Sequence, residues 1–427
     1  MKLQVSPCRR YLMHDDGTPF FYLGDTAWEL FHRLDRQEAE LYLTTRAQQG
    51  YTVIQAVALA EFEGLTVPNS YGRLPLRQTD GQYDPTQPDT DGQYSYWDHV
   101  DHIVGRAGQL GLYIGLLPTW GDKVNKMWGQ GPEVFTVENA RAYGRWIGAR
   151  YRDAENIIWI LGGDRPLEER HRDIYRAMAQ GILEADTNHR MTFHPCGEQS
   201  SYDHVGGEAW MDFHMLQTGH GLGHYDCWRA LRRTLDLDRS RPALDGEPRY
   251  EDHPACFKTA YNVLWDAADV RNSAYWSVFE GACGHTYGNH SIWSFTKEPT
   301  EYFRYRWQET LHHEGAVSMG HLRKLVESRP YFQRRPAPEL VRDDDDVLNH
   351  AAACRGEGYA YIYSPQGLPL TVQMGVLPGG AALVSWFNPR TGQESLQTVV
   401  PNRGKSTFVP PTGGRGQDWV LVLDCKD

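Results

Sequence analysis

Short apolar segments alternate with longer segments of helical pattern through roughly the first 330 residues of the chain. Eight of the apolar segments predict buried strands, at 20–24, 52–59, 112–118, 157–161, 190–194, 211–215, 242–245 and 274–278. The segments between them predict helices at 36–49, 97–110, 138–151, 167–185, 225–235, 257–270 and 300–326. Buried strands that alternate with helices indicate a parallel sheet, and eight such units predict an α/β fold, the (β/α)8 TIM barrel.

The pattern changes near residue 334. An acidic run at 343–346 is followed by short alternating segments at 359–363, 370–374, 382–387, 395–400, 406–409 and 418–423. We therefore predict a barrel domain over 1–333 and a small C-terminal antiparallel β-sandwich over 334–427. The acidic run predicts a solvated linker, because it lacks the glycine and the terminal glutamate of an EF-hand calcium loop.

Charge narrows the classes of partner. The chain has 43 Lys and Arg against 55 Asp and Glu, a net charge of −12. Nucleic acids and anionic membranes attract clustered positive charge, so we expect neither as a partner. No apolar segment approaches the roughly 20 residues of a membrane span. The N-terminus lacks the apolar core of a secretion signal, so we expect a cytoplasmic protein, although a chain trimmed of its leader would read the same way.

Asp164 is the first candidate catalytic residue. In a barrel of this type the active site lies at the C-terminal ends of the strands. Asp164 follows the apolar strand 157–161 and the glycines Gly162 and Gly163, which let the backbone turn and a ligand approach. A carboxyl group at the edge of an apolar strand is partly desolvated, which raises its pKa and suits a general acid. The alternative is that Asp164 caps the next helix.

Glu247 is the second candidate. It lies in the segment LDGEPRYE at the end of the seventh predicted strand, and nearby Arg249 could keep it ionised. One protonated carboxyl opposite one carboxylate is what glycoside cleavage requires. The alternatives are a salt bridge at the barrel rim for Glu247 and a competing role for Asp245.

Further polar and aromatic residues near the strand ends are expected to bind substrate hydroxyls or to pack against a sugar ring. They are Asp25, Trp28, Gln55, Trp120, His194, His214, Gln217, Tyr250, His285 and Tyr287. Trp128 and Trp210 are further candidate platforms, with packing in the core or a lid as the alternative.

Other chemistries find less support. Neither the G-x-S-x-G elbow nor the phosphate-binding G-x-x-x-x-G-K-[ST] loop occurs, and the seven widely spaced cysteines favour free thiols. We expect no cofactor and no metal. Two alternatives stay open: a metal-dependent hydrolase, if His194, His214, His220 and His285 converge, and a sugar-binding barrel without catalysis.

Five separated motifs carry a resemblance to a known family. They are LGDTAWELF (23–31), GLLPTWGDK (115–123), IIWILGGDRP (157–166), DGEPRYE (245–251) and GHTYGNHSIW (284–293). Over about residues 5–330 the chain resembles the apiosidase-like barrels of glycoside hydrolase family 140, formerly the DUF4038 domain. The C-terminal segment resembles the collagen-binding-type β domain that is usually attached to them.

The resemblance implies a fold, an activity and two roles. It implies an exo-acting glycoside hydrolase that releases apiose, a branched five-carbon sugar, from an oligosaccharide or a plant glycoside. It implies that Asp164 is the acid/base and Glu247 the nucleophile of a retaining mechanism. Gly163 and Asp164 stand where many retaining barrels have Asn and Glu. Another pentose or a hexose is the alternative substrate.

Overall fold

A computed structural model describes residues 2–221, 226–341 and 347–426. The acidic run at 343–346, predicted as a linker, lies outside the described residues, and so does Tyr225, the predicted first residue of one helix. No helix within the described ranges is long and apolar enough to cross a membrane.

The strands up to residue 287 are β1 (Leu3–Val5), β2 (Leu12–His14), β3 (Pro19–Phe20), β4 (Tyr22–Thr26), β5 (Val53–Leu59), β6 (Leu76–Thr79), β7 (Gln82–Pro88), β8 (Tyr113–Thr119), β9 (Ile157–Gly162), β10 (Met191–His194), β11 (Gln199–Ser200), β12 (His214–Gln217), β13 (Ala243–Asp245) and β14 (Gly284–Tyr287). The helices are α1 (Leu30–Arg33), α2 (Arg36–Gln48), α3 (Tyr96–Gln109), α4 (Val137–Tyr151), α5 (Glu169–Ala185), α6 (Tyr202–Val205), α7 (Cys227–Leu237), α8 (Ala267–Phe279), α9 (Trp307–Thr310) and α10 (Glu314–Glu327).

Eight parallel strands form the central sheet, in the order β10-β9-β8-β5-β4-β14-β13-β12. The short β11 pairs antiparallel with β12 beyond them. Hydrogen bonds join the ends of the sheet: Asp212 N donates to Met191 O at 2.8 Å, Met191 N donates to Asp212 Oδ2 at 2.8 Å, and Thr192 Oγ1 donates to Phe213 O at 2.6 Å. The sheet is therefore nearly closed, its strands are buried, and the predicted barrel is confirmed.

The predicted eighth strand, 274–278, is wrong. These residues lie in α8, and the eighth strand is β14. Asp266 caps α8 by accepting hydrogen bonds from Ala268 N and Asp269 N. Residues 273–279 of α8 are all buried, so the helix has no polar stripe and its pattern resembles that of a buried strand.

Two other predicted elements are displaced. The predicted helix 257–270 is largely irregular: it overlaps the 3-10 turns Ala255–Phe257 and Thr259–Tyr261, and α8 begins only at Ala267. The sixth strand lies at 214–217 rather than 211–215, which is a shift of three residues at its start. The prediction followed the apolar residues, whereas pairing with β13 decides which residues join the sheet.

The C-terminal strands are β15 (Arg335–Pro336), β16 (Ala353–Arg355), β17 (Tyr359–Ser364), β18 (Leu370–Gln373), β19 (Ala381–Asn388), β20 (Gln393–Glu394), β21 (Thr398–Pro401), β22 (Lys405–Phe408) and β23 (Trp419–Cys425). Seven of them form one antiparallel sheet, and β18 pairs with β22 in a second. Ile362 and Leu421 of the first sheet and Leu370 and Val372 of the second share one hydrophobic core. The predicted antiparallel β-sandwich is confirmed.

Helix α8 joins the sandwich to the barrel. Tyr275 stacks on Tyr363 with ring centroids 4.8 Å apart. Arg271 pairs with Asp418, both side chains being buried, through contacts of 2.9–3.2 Å. The predicted domain boundary at 333/334 falls between the 3-10 turn Tyr331–Gln333 and β15, and the division into two domains there stays a prediction.

We expect Asp418→Ala to lower the free energy of unfolding by about 3–5 kcal/mol, because it removes the buried carboxylate that pairs with Arg271 and leaves only the exposed Glu314, 2.8 Å from Nη1, as its partner. The double variant Arg271→Met, Asp418→Leu removes both charges and is expected to cost clearly less. Chemical denaturation, followed by tryptophan fluorescence, measures both. Equal losses in the single and double variants would contradict the expectation.

Candidate active site

The C-terminal ends of the barrel strands surround an open cavity of about 770 Å³. Its wall is mainly aromatic and carries four carboxyl groups, those of Glu61, Asp164, Glu198 and Glu247. The other wall residues include Trp28, Phe62, Trp120, Trp128, Cys196, Gln217, His220, Tyr250, His253, Trp293, Tyr302 and Phe303. Aromatic faces suit the apolar C–H faces of sugars.

Asp164 lies at a sharp turn after β9. Its φ is 42°, and those of Gly162 and Gly163 are 93° and 123°. A Cβ on Gly163 would come within 2.8 Å of the backbone nitrogen of Gly121, so only glycine fits there. The turn presents the Asp164 carboxyl to the cavity. Helix α5 is capped by Glu168 and not by Asp164, so the predicted alternative role as a helix cap is wrong.

Burial and neighbouring charges act on the Asp164 carboxyl in opposite directions. Gly197 N lies 3.3 Å from Oδ1, and Arg165 Nη1 lies 3.4 Å from Oδ2. Burial, followed by the negative charge of Glu247, raises the pKa of Asp164 to about 6, against the opposing charge of Arg165. A carboxyl with this pKa is protonated in mildly acidic solution and can act as a general acid.

The contacts of Glu247 shift its pKa in the opposite direction to that of Asp164. Tyr250 Oη donates a hydrogen bond of 2.6 Å to its Oε1, and His194 Nε2 lies 2.9 Å from its Oε2. Burial by itself would raise the pKa of Glu247, but the contacts with His194, His220 and Tyr250 hold it below the ordinary value. The surroundings therefore lower the pKa of Glu247 and raise that of Asp164. Arg249, the predicted source of positive charge, instead stacks on Trp265 at 4.6 Å.

His194 supports Glu247 from behind. Its Nδ1 lies 3.0 Å from the carbonyl oxygen of Pro195, while its Nε2 faces Glu247. The ring also packs edge-on against Trp28, with centroids 5.4 Å apart. His194 thus contacts the carboxylate rather than forming part of the cavity wall.

Four of the predicted substrate-binding residues line the cavity: Trp28, Trp120, Gln217 and Tyr250. Trp28 Nε1 donates to Tyr250 Oη at 2.9 Å, which orients the hydroxyl that donates to Glu247. The buried atoms Trp120 Nε1 and Gln217 Oε1 have no hydrogen-bond partner among the described residues. One buried donor and one buried acceptor thus lack a partner in residues that line the cavity.

Two predicted substrate-binding residues face the helix layer. Asp25 pairs with Arg46 Nε at 2.5 Å and accepts a hydrogen bond of 2.6 Å from Tyr42 Oη. Tyr287 donates a hydrogen bond of 2.5 Å to Glu251. Alternate residues of a strand face opposite sides of the sheet, and these two face away from the cavity.

Three further predicted substrate-binding residues lie outside the cavity wall. Gln55 and His285 are fully buried within the barrel, where Gln55 Nε2 donates to Gly246 O at 2.9 Å. His214 contacts Ser201 Oγ at 3.1 Å and Asp238 Oδ2 at 3.0 Å. Gln55 and His214 thus have partners within the protein, the Nδ1 of His285 has none among the described residues, and none of the three lines the cavity.

Several cavity residues escaped prediction because they come from loops. Phe62 follows β5, while Trp293, Tyr302 and Phe303 follow β14. His253 stacks on His220 with ring centroids 4.4 Å apart. Only Trp293 lies in a motif noted in the sequence, GHTYGNHSIW; the others have no periodic pattern, since irregular loops carry none.

The rim histidines do not converge on a metal site. His194 and His220 flank Glu247, whereas His214 and His285 lie elsewhere. Within residues 2–221, 226–341 and 347–426, no group of three or more metal-binding side chains could hold an ion. Cys196 does line the cavity, but burial raises the pKa of its thiol to about 11, so it is not an activated nucleophile.

The chain matches two family profiles. The profile of the apiosidase-like catalytic domain matches residues 6–333. That of a collagen-binding domain of a collagenase matches residues 336–424. No curated protein matches the chain.

The chain is similar to solved structures over almost its whole length. A structure titled glycoside hydrolase is 34% identical with a TM-score of 0.89, over 100% of this chain and 98% of the other. A family 5 glycoside hydrolase from Bacteroides vulgatus is 31% identical with a TM-score of 0.90, over 99% and 93%. A Geobacillus stearothermophilus β-L-arabinopyranosidase shares the fold alone, at 11% identity and a TM-score of 0.55, over 95% and 97%. The chain therefore belongs to the apiosidase-like family and is a glycoside hydrolase.

Proposed function

We propose that this enzyme releases a single terminal sugar, apiose or a related pentose, from an oligosaccharide or a plant glycoside. The observation that carries the proposal is the pair of carboxyls in one cavity with pKa values shifted in opposite directions: upward for Asp164 and downward for Glu247. Two titratable groups that their surroundings push apart in this way supply an acid and a nucleophile at the same pH.

In the proposed first step, Glu247 attacks the anomeric carbon and the bond to the leaving-group oxygen breaks. Asp164 gives its proton to that oxygen, and the sugar is left covalently attached to Glu247. In the second step the Asp164 carboxylate takes a proton from water, whose oxygen attacks the anomeric carbon and frees Glu247. Tyr250 and His194 hold the two oxygens of Glu247 at 2.6 Å and 2.9 Å, which orients the nucleophile in both steps.

Retention is the stereochemical outcome that we propose. The negative charge of Glu247 raises the pKa of Asp164, so the two carboxyls act on each other within one cavity. A retaining enzyme uses such a pair as acid/base and nucleophile. The resemblance to apiosidase-like barrels favours the same outcome.

The cavity wall supports the choice of a small sugar. Trp28 and Trp120 are each only 2% exposed and form a rigid aromatic base near Glu247. Trp120 Nε1 and Gln217 Oε1 offer one donor and one acceptor to hydroxyl groups. Trp128, by contrast, is 58% exposed and lies over the guanidinium of Arg165, beside Asp164. This arrangement favours one enclosed sugar with its leaving group directed toward the opening, which is the geometry of exo-action.

We expect Glu247→Gln to reduce sugar release by about a thousandfold or more with folding intact, because the amide is a poor nucleophile. The assay measures free sugar from apiose-bearing glycosides and from aryl pentosides and hexosides. Glu298→Gln, in which the replaced glutamate is exposed, serves as the matched control. Release of apiose by the wild type supports the full proposal, while release of another sugar would replace only the substrate. A loss below tenfold in Glu247→Gln would refute its role.

Activity is expected to depend on pH through both carboxyls. Because Asp164 must be protonated and its pKa is about 6, kcat/KM is expected to fall as the pH rises through that value. Because Glu247 must be ionised and its pKa is depressed, the decline on the acid side should lie below the ordinary range of a glutamate. Asp164→Asn should abolish the alkaline limb. Activity that rises steadily above pH 7 would contradict the assignment.

The anomeric configuration of the released sugar tests the proposed mechanism. We expect the sugar first released to have the same anomeric configuration as the substrate, since two displacements at one carbon restore it. Proton NMR of the product within the first minutes of reaction reads the configuration before mutarotation. An inverted product would show that Glu247 activates water instead of attacking the sugar.

A further inference from the structure

The cavity has room for more than one sugar, and its outer part is aromatic. Its volume of about 770 Å³ lies in the range of sites that hold drug-sized ligands. Trp28 and Trp120 are almost fully buried at its base. The aromatic wall residues that are half-buried or exposed, here called the outer wall, are Phe62, Trp128, Phe257, Trp293, Tyr302 and Phe303. A leaving group directed toward the opening meets this outer wall.

Trp128 presents one open face in the outer wall. The guanidinium carbon of Arg165 lies 4.7 Å from the centroid of the Trp128 ring and covers one face. The residue is nevertheless 58% exposed, so the opposite face is open to solvent. An open indole face in a cavity wall is a platform for a flat apolar group.

Phe62 and Phe257 are held in strained backbone conformations. Their φ values are 47° and 60°, in the left-handed region that bulky residues rarely adopt. The ring of Phe62 stacks on Trp293 with centroids 5.5 Å apart, and the guanidinium of Arg33 lies 5.6 Å from its centroid. Strain of this kind persists only where surrounding contacts hold it, and it is concentrated at ligand-binding sites. The outer wall is therefore a preformed surface.

The outer wall offers few polar partners to a sugar. Its three phenylalanines have no polar side-chain atom. Trp293 Nε1 donates to His290 Nδ1 at 3.4 Å, and Tyr302 Oη lies 3.4 Å from His253 Nε2. A sugar bound here would lose water from its hydroxyl groups without gaining partners from these rings, whereas a flat aromatic group would not. The outer wall therefore favours an aromatic leaving group.

The cavity wall carries acidic groups without basic ones. Glu61, Asp164, Glu198 and Glu247 line it, and no lysine or arginine is among its described residues. Burial lowers the pKa of His220 and of His253, so these two imidazoles add no positive charge near pH 7. A carboxylate on the leaving group would gain no ion pair with the wall and would be repelled by Glu247.

The cations nearest to the wall do not alter this balance. They contact other carboxylates or follow wall residues in the chain without lining the cavity: Arg165 contacts Glu61 at 2.8 Å, Arg33 contacts Glu29 at 3.6 Å, Lys297 contacts Glu38 at 2.7 Å, and Lys258 and Arg304 follow Phe257 and Phe303. The wall therefore suits an uncharged leaving group.

We propose that the leaving group is an uncharged aromatic aglycone, joined to the sugar through a hydroxyl oxygen, and that its ring stacks on the open face of Trp128. The substrate is then a neutral aromatic glycoside and not an acidic oligosaccharide. The proposal rests on the proposed release of a terminal sugar and adds the identity of the leaving group. Trp128 binds the aglycone and takes no part in bond making or breaking.

Two glycosides of the sugar that the release assay identifies test the aromatic contact: the benzyl and the cyclohexylmethyl glycoside. Both leaving groups are primary alcohols of similar basicity, so the demand for protonation is matched and the flat ring is what differs. We expect the wild type to cleave the benzyl glycoside with about five- to tenfold higher kcat/KM, mainly through a lower KM. Equal values, or a preference for the cyclohexylmethyl glycoside, would overturn the proposal.

Variants at Trp128 assign the preference to its ring. Trp128→Ala should bring the two kcat/KM values to within about twofold of each other, while Trp128→Phe, which keeps an aromatic face, should retain most of the preference. The matched control is Tyr261→Ala, because Tyr261 is 61% exposed but does not line the cavity. Thermal melting shows whether each variant is folded. A preference that survives in Trp128→Ala contradicts the proposal.

A charged leaving group tests the second half of the proposal. The glycoside of 4-(hydroxymethyl)benzoate is compared with that of its methyl ester. At pH 7 and low salt we expect the ester to be cleaved with at least about tenfold higher kcat/KM, and the difference to narrow as salt screens the repulsion. A carboxylate cleaved as fast as the ester would overturn the proposal in favour of an acidic oligosaccharide.

A binding measurement separates this proposal from the proposed function. Isothermal titration calorimetry of Glu247→Gln with the intact benzyl and cyclohexylmethyl glycosides gives the Kd of each without cleavage, with apiose as the sugar if none is released. Tighter binding of the benzyl glycoside by about fivefold, lost when Trp128→Ala is added, supports the proposal. Equal affinity, or binding of neither, overturns it. If the wild type cleaves no glycoside, the proposed function fails while this comparison still decides the role of Trp128.

Discussion

The pairing of buried charges is the constraint on which this barrel and its cavity both depend. Arg46 and Asp25 face each other at 2.5 Å between α2 and β4, and both are fully buried. Lys123 and Asp122 do the same beside β8, at 2.8 Å. Each ion would be strongly unfavourable by itself in surroundings of low dielectric constant, so each partner fixes the position of the other. These pairs hold helices and loops in register with the strands.

Buried charges also lie close together in the cavity, but there the carboxyls outnumber the guanidinium that can pair with them. Arg165 faces two carboxyls, and the carboxylate of Glu247 adds a third acidic group to the same space. Burial and the charge of Glu247 raise the pKa of Asp164 against Arg165, and burial raises the pKa of Glu61 as well, so these surroundings favour retention of a proton. In the proposed mechanism, Asp164 donates such a proton to the leaving group.

The β-sandwich affects the barrel through α8. That helix is covered by the barrel on one side and by β17 and Asp418 on the other. Its outer face therefore carries tyrosine, phenylalanine and a paired arginine where a barrel helix usually carries exposed polar residues. Through these contacts the C-terminal domain forms a structural part of the barrel wall. The contacts are independent of the resemblance of this domain to a collagen-binding domain.

Sequence alone determined the barrel, the β-sandwich and the position of the two catalytic candidates, because alternating buried strands and helices are local patterns and strand ends of a parallel barrel meet at one rim. Asp164 and Glu247 could be found from their places after β9 and β13. Sequence could not show that 274–278 is helical, since burial by the sandwich removes the polar stripe. Nor could the sequence show that Trp28 lines the cavity while Asp25, three residues earlier near the same strand end, faces the helix layer. Only tertiary structure decides which side chains face the cavity and which pair with a helix, because those partners come from distant parts of the chain.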